Sequence, residues 1–420
     1  MKLFNFLAPP ELKASRALSS HIERLPTVSW TPQNYISFAR EGYKLNVVAY
    51  QAIKKLADSV GSLRWAVHKP NGEKLDVHPM LDLINNPNQR QSGREFWRAK
   101  VSYLCLHGNN YDERVFGKSR RPAELWTLRP DRFTVIPGPS GIPKAYEYRH
   151  NGRIVRFDVN ELTGDSDIRH TALFNPLDDH YGQAPIAPAL RTIQEHNTAA
   201  EWLMRLLQNS ARPSGALVLS AEQSLTDEQF ARMRKEVEEN YTGASNAGRP
   251  MLLEGGLDWK AMGFSPDDMS ISEQRDASAR YISLAFGVPP LLLNIPGDNT
   301  YSNYREARLG FYEDTVIPLA DMAIEEINTW LSPSFDGHYL RPDYDSIEAI
   351  AEKRRATWEM VDQADELTVN EARDLKGFPP LPDPLGSMLM GDLRASRRGH
   401  TSDRSNNGGE ALADETDYGA

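Results

Sequence analysis

The sequence predicts an α+β fold of several linked regions, on three observations. Helical and strand periodicities occupy separate stretches, two long helical patterns bracket a small α/β insert, and the C-terminal third is helical again. With 420 residues, 40% of them hydrophobic and 25% charged, the chain has the length and proportions of two or three packed domains.

In chain order, Val47, Tyr50, Ile53, Ala57 and Val60 recur at three- and four-residue steps, an amphipathic helix over 46–60 that Gly61 ends. A strand follows over 63–69, and Asn71-Gly72 supplies a hairpin turn that tolerates positive φ. Ser92 and Glu95 have capping-box spacing for a second helix, with Phe96, Val101, Leu104 and Cys105 on its inner face and Gly108 at its end. Residues 111–159 are β-rich, broken by Pro, Gly and a second turn pair, Asn151-Gly152. From Pro188 a helical pattern without glycine or proline runs to Asn209, a length of roughly 30 Å.

The insert comprises a strand over 216–220, a helix capped by Thr226 and Gln229, and strands near 251–253 and 259–262. Ser270 and Glu273 have the spacing to cap the next helix, which carries Ala277, Tyr281, Leu284 and Ala285 and stops at Gly287 and Pro289-Pro290. After a loop to Ser302, a helix from Asn303 is expected to kink at Pro318. A short extended piece over 336–342 and two more helices follow, the second capped by Thr368 and Glu371. Residues 395–420 read as a polar, disordered tail.

Composition excludes several classes of function. The single cysteine, Cys105, permits neither an intramolecular disulfide nor a thiolate zinc site. No secretory signal is expected, because Asn5 and Pro9-Pro10 interrupt the N-terminal apolar patch. The run 289–295 is too short to span a bilayer, so no membrane partner is expected. With 48 Lys and Arg against 58 Asp and Glu the net charge is -10, unsuited to gripping nucleic acid by phosphate neutralisation but compatible with a conduit that DNA slides through.

The candidates for chemistry are weak. Gly117-Lys118-Ser119 lacks the leading glycine of a phosphate loop, and Gly138-Pro139-Ser140-Gly141 suits a turn better than a nucleophile elbow. His170, Asp178, Asp179 and His180 are the cluster with metal-ligand chemistry, without a fixed ligand spacing; a hydrogen-bonded turn before Tyr181-Gly182 is the plainer reading. Asp343 and Asp345 read as solvated loop carboxylates, and the basic groups Arg120-Arg121, Arg149 with Arg153 and Arg156, Lys353-Arg354-Arg355 and Arg397-Arg398 as ordinary surface charge. No catalytic residue, metal or cofactor is assigned.

Over about residues 45–382 the sequence resembles the HK97-type portal proteins of tailed bacteriophages, prophages and gene-transfer particles. The residues that carry this are His78-Pro79 with Pro87-Asn88, Gly108-Asn109-Asn110-Tyr111, Asp179-His180-Tyr181-Gly182-Gln183-Ala184-Pro185, Phe286-Gly287-Val288-Pro289-Pro290, Tyr301-Ser302-Asn303 with Glu306, 315–318, and Thr368-Val369-Asn370-Glu371-Ala372-Arg373. The resemblance implies a multi-region portal fold of wing, stem, clip and crown, closed into a homododecameric ring at one capsid vertex. Such a ring conducts double-stranded DNA during genome packaging and ejection. Its implied partners are the terminase large subunit, a head–tail adaptor and the major capsid protein, with assembly in the bacterial cytoplasm.

On that plan residues 1–44 are an N-terminal extension, partly disordered, and 45–187 an α+β wing. Residues 188–210 and 265–288 are stem helices around an α/β clip, 211–264. The tunnel loop is 289–302, a kinked helix and wing return 303–346, a helical crown 347–394, and the tail 395–420. The loop residues expected to line the channel are Leu293, Asn294, Ile295, Pro296, Gly297, Asp298, Asn299, Thr300 and Tyr301, with Leu291 and Leu292 adding to an apolar, weakly acidic constriction. The clip interface is expected at Phe230, Met233, Arg234, Val237, Glu238 and Leu253. Two rivals remain open: a metal-dependent nuclease built on His170, Asp178, Asp179 and His180, and a neck adaptor ring, which needs no mid-channel loop.

Overall fold

The computed structural model describes residues 32–118, 121–139, 141–208, 215–219, 226–241, 257–261, 270–296, 301–376, 378 and 380–395. The chain divides into two compact units, Met1–Val47 with Ile186–Ser265, and Val48–Pro185 with Pro266–Ala420.

Helix α1 (Val47–Gly61) buries Ile53, Ala57 and Val60 of the expected stripe together with Leu56, while Val47 is exposed and Tyr50 half-buried. Strands β1 (Trp65–His68) and β2 (Lys74–Leu75) pair antiparallel about the Asn71-Gly72 turn, where Gly72 has φ +87°. Helix α2 (Pro79–Asn85), which the apolar pattern does not announce, starts on an unusual cap: His78 Nδ1 accepts from Met80 N at 3.2 Å. Helix α3 (Gly93–His107) has the expected capping box between Ser92 and Glu95, and Gly108 closes it in the left-handed conformation.

The β-rich stretch forms two three-stranded antiparallel sheets. In one, β3 (Asn109–Phe116) lies between β4 (Pro122–Leu128) and β8 (Ile168–Ala172). In the other, β5 (Phe133–Pro137), β6 (Pro143–His150) and β7 (Arg153–Asp158) form a meander, with Asn151 and Gly152 both at positive φ in the β6–β7 turn. Tyr111, Phe133, Val135, Tyr146, Val159 and Ile168 form their common core. Gly117 thus follows β3 on its way into β4, and Gly138 and Gly141 flank the β5–β6 hairpin; neither motif leads into a helix.

The smaller unit contains α4 (Ile186–Gln208), with Pro188 in its first turn. A short helix, Tyr35–Ser37, runs into a π-helical stretch, Phe38–Lys44, which lies against α4. A Cβ on Gly42 would come within 2.3 Å of Ile186 Cδ1, while Asn197 Nδ2 donates to Glu41 O at 3.0 Å and Asn46 Nδ2 to Asn197 Oδ1 at 2.9 Å. Strand β9 (Gly215–Leu219) pairs antiparallel with β10 (Leu257–Ala261), and α5 (Asp227–Tyr241) carries the expected Thr226/Gln229 capping box.

Helix α6 (Ile271–Ala285) departs from expectation twice. Ser270 has φ +47° and makes no side-chain cap, so the Ser270/Glu273 box does not form. Its buried residues are Ser278, Ala279, Ile282 and Ser283, while Tyr281 and Leu284 are 65% and 71% exposed. Serine is tolerated inside because its hydroxyl finds a carbonyl of its own helix, Ser283 Oγ donating to Arg280 O at 2.8 Å.

Helices α7 (Tyr301–Phe311) and α8 (Ile317–Leu331) are joined by a π turn, Tyr312–Val316, just before Pro318. The wider turn absorbs the hydrogen bond that proline cannot make. Strand β11 (Tyr339–Pro342) completes the β1–β2 sheet and is tied to α8 by Asn328, whose amide donates to Leu340 O at 2.8 Å and accepts from Leu340 N at 2.7 Å. Helices α9 (Glu348–Gln363) and α10 (Val369–Leu375) follow, the latter with the Thr368/Glu371 capping box. Among the described residues no helix is long and apolar enough to cross a membrane.

Candidate functional site

Phe286-Gly287-Val288-Pro289-Pro290 ends α6 and turns the chain into a loop. Gly287 has φ +64°, and a Cβ there would lie 2.7 Å from Thr315 Oγ1, whose hydroxyl donates to Gly287 O at 2.8 Å. Pro290–Leu293 forms one 3-10 turn, closed by Asn294 at φ +57°. Leu292 within that turn and Ile295 just beyond its left-handed cap are both buried in their own subunit, 7% and 8% exposed. Ile295 and Leu292, expected from the sequence among the wall residues, anchor the base of the loop within the subunit. Asn294 and Pro296 are exposed, Leu293 is half-buried, and Arg280 Nη2 ties the loop to α6 by donating to Pro296 O at 2.5 Å. Gly297, Asp298, Asn299 and Thr300 lie outside the described residues; Tyr301 begins α7.

Two other sequence motifs meet at the end of α3. Asn109 Oδ1 accepts from Gly182 N at 2.7 Å and from His170 Nε2 at 2.9 Å, and its Nδ2 donates to His107 O at 2.9 Å and Gly182 O at 3.2 Å. Every lone pair and proton of that amide is thereby committed, which fixes its orientation and places the His170 proton on Nε2. Tyr181 reaches across to accept from Val135 N at 2.8 Å. The run beginning Gly108 and the run ending at Pro185 are thus two sides of one joint.

That joint also disposes of the metal-centre arrangement. His170 stacks on Tyr111 at 4.3 Å and is engaged by Asn109, while Asp178 Oδ1 accepts from His180 N at 2.8 Å and Tyr181 N at 2.9 Å in a local turn. Among the described residues no three His, Cys, Asp or Glu side chains are grouped to hold an ion. Cys105 is buried, which pushes its thiol up to about 12, far from a nucleophile's range.

Desolvation first, then the nearby positive charges of His107, Arg169, His180 and Lys100, hold His170 down at about 3. Between pH 6.5 and 3 the unfolded chain binds a proton at this position that the folded chain refuses. Stability is therefore full above pH 6.5 and falls as the solution is acidified, by about 1.4 kcal/mol per pH unit from this residue. His170→Phe is expected to flatten the acid limb of a urea-midpoint curve by one proton's slope. Burial also lowers His107, so a shallower limb persists; an acid limb unchanged from wild type refutes the assignment.

Of the expected clip residues, Phe230 is 60% exposed and Arg234 is exposed on α5. Met233, Val237 and Glu238 fall at helical spacing on the same element, and Leu253 lies outside the described residues.

Residues 47–377 match the family model described as "Phage portal protein". The chain belongs to the phage portal protein family. Within it, the portal protein of Enterobacteria phage HK97 is 26% identical over 325 residues, 74% of this chain and 73% of that protein. A protein of Rickettsia bellii (strain RML369-C) is 36% identical over 369 residues, 87% of this chain and 95% of its own length. The solved structure "Neck of native GTA particle computed with C12 symmetry" contains a chain 40% identical, aligned with a TM-score of 0.65 over 84% of this chain and 95% of that one.

Sequence reasoning located the glycine and proline punctuation of this portal chain but missed the residues that lock it. Asn109 and Thr315 sit inside runs that carry the family resemblance, yet nothing in their spacing says that they clamp Gly182 and Gly287.

Proposed function

We propose that this portal chain closes into a twelve-membered ring at a capsid vertex and conducts double-stranded DNA during packaging and release. On this reading it docks the terminase large subunit and then a head–tail adaptor, sits within the major capsid protein shell, and performs no catalysis itself. The observation that carries the proposal is the likeness to a neck chain placed with C12 symmetry, extending over 95% of that chain at 40% identity. The higher identity to that chain than to the HK97 portal also supports a particle of the gene-transfer kind.

The loop geometry fits this role. A base anchored by the buried Leu292 and Ile295 leaves Asn294 and Pro296 exposed, side chains able to touch a passing duplex without binding it. The reading includes the regions expected from the sequence: wing 45–187, stem helices 188–210 and 265–288, clip 211–264, tunnel loop 289–302, return 303–346 and crown 347–394.

Negative-stain microscopy of the purified chain tests the ring directly, with annular particles expected and a monomer at high concentration counting against it. Deleting 294–301 is expected to leave rings intact while DNA packaging falls to background. Normal packaging by the deleted form favours the adaptor reading instead.

A further inference from the structure

We propose that Lys55 and Arg94, assisted by Lys54, form a phosphate-contact station for duplex DNA beside the tunnel loop; the proposal rests on the portal reading above. A cleft of about 610 Å³ opens between α1, the start of α3 and the loop, with Leu293 and Asn294 on one side and Lys54, Lys55, Asp58 and Arg94 on the other. Three cations there face one carboxylate. That carboxylate is already engaged on both oxygens, by Lys54 Nζ at 2.6 Å and by Arg98 Nε at 2.6 Å. Among the described residues no carboxylate lies within ion-pair distance of Lys55 or Arg94. In a chain of net charge -10, two cations left uncompensated beside the loop are a local reversal of sign.

The chemistry suits a backbone phosphate. Lysine provides a compact point charge and arginine a planar donor fork, and both reach out from helices on flexible stems, so contact with successive phosphates is brief and independent of base sequence. The apolar and amide side of the cleft, Leu293 and Asn294, offers no competing anion. A loop that merely excludes the duplex thus stands next to a station that holds its axis at a set distance, a combination that permits sliding while limiting lateral drift.

The test uses the full-length chain and a 30-base-pair duplex of mixed sequence, with a second duplex of unrelated sequence as the probe of base independence. Binding is read by fluorescence anisotropy across a salt series, and ring integrity by negative-stain microscopy. For Lys55→Ala with Arg94→Ala, intact rings are expected to bind both duplexes about tenfold more weakly, with the slope of log affinity against log salt reduced by about one for each lost contact. The exchange Lys55→Arg with Arg94→Lys is expected to restore both. Unchanged affinity in intact variant rings overturns the proposal. So does a variant that loses rings while the wild type forms them, since the cations then hold an acidic surface of the next copy. A wild-type chain that never forms rings defeats the portal reading, and this proposal with it.

Discussion

Lys100→Ala is expected to lower the unfolding free energy by about 3 to 5 kcal/mol, read as a large fall in urea midpoint. Lys100 on α3 and Asp112 on β3 are both fully buried, with Nζ and Oδ2 2.6 Å apart. Lys100 Nζ also donates to Thr171 Oγ1 of β8 at 3.0 Å, and the other Asp112 oxygen accepts from Thr127 Oγ1 of β4. One ion pair therefore fastens the helix to all three strands of the sheet. Removing the lysine leaves a fully buried carboxylate with the Thr127 hydroxyl as its remaining side-chain partner, and the desolvation penalty is no longer offset. Removing both charges, as Lys100→Met with Asp112→Leu, is expected to cost much less than the two single changes added together. A single-variant loss below about 1 kcal/mol refutes the claim that this pair is an obligate unit.

How far the sequence could be read depended on whether a feature was local. Ser92 with Glu95, Thr368 with Glu371, and the turn pairs Asn71-Gly72 and Asn151-Gly152 act within a few residues, and each does what its type dictates. Features that depend on distant partners were not legible. Lys100 looks like a surface residue on a helix until Asp112 and Thr171 close over it, and His78 caps α2 although histidine is not an expected cap. The inner face of α6 differs from the expected one because Tyr281 and Leu284 are exposed, whereas Ile282 is buried together with the small residues Ser278, Ala279 and Ser283. At the loop, the prolines and Gly287 mark the position, but the burial of Leu292 and Ile295 depends on the three-dimensional course of the turn and the left-handed Asn294 after it.

Gly182→Ala is expected to be among the most damaging single methyl additions in the described chain, costing about 4 kcal/mol or more and leaving little soluble protein. A Cβ there would lie 2.1 Å from Gly108 O, 2.6 Å from Leu173 N and 2.7 Å from Leu173 O. All three are backbone atoms, two of them in a hydrogen bond: Leu173 N donates to Gly108 O at 2.8 Å. No rotamer change relieves such a contact, so the joint must open, and the bond from Gly182 N to Asn109 Oδ1 opens with it. The contrast is Gly152→Ala in the β6–β7 turn, where φ is +75° but nothing lies within 4 Å of the new Cβ. That change meets the left-handed backbone penalty alone, about 1 to 2 kcal/mol. Thermal melts of the two variants side by side separate lack of space from backbone strain. Equal melting temperatures mean that the loop before Pro185 yields freely, and that the joint between the Gly108 and Gly182 runs does not hold its unit together.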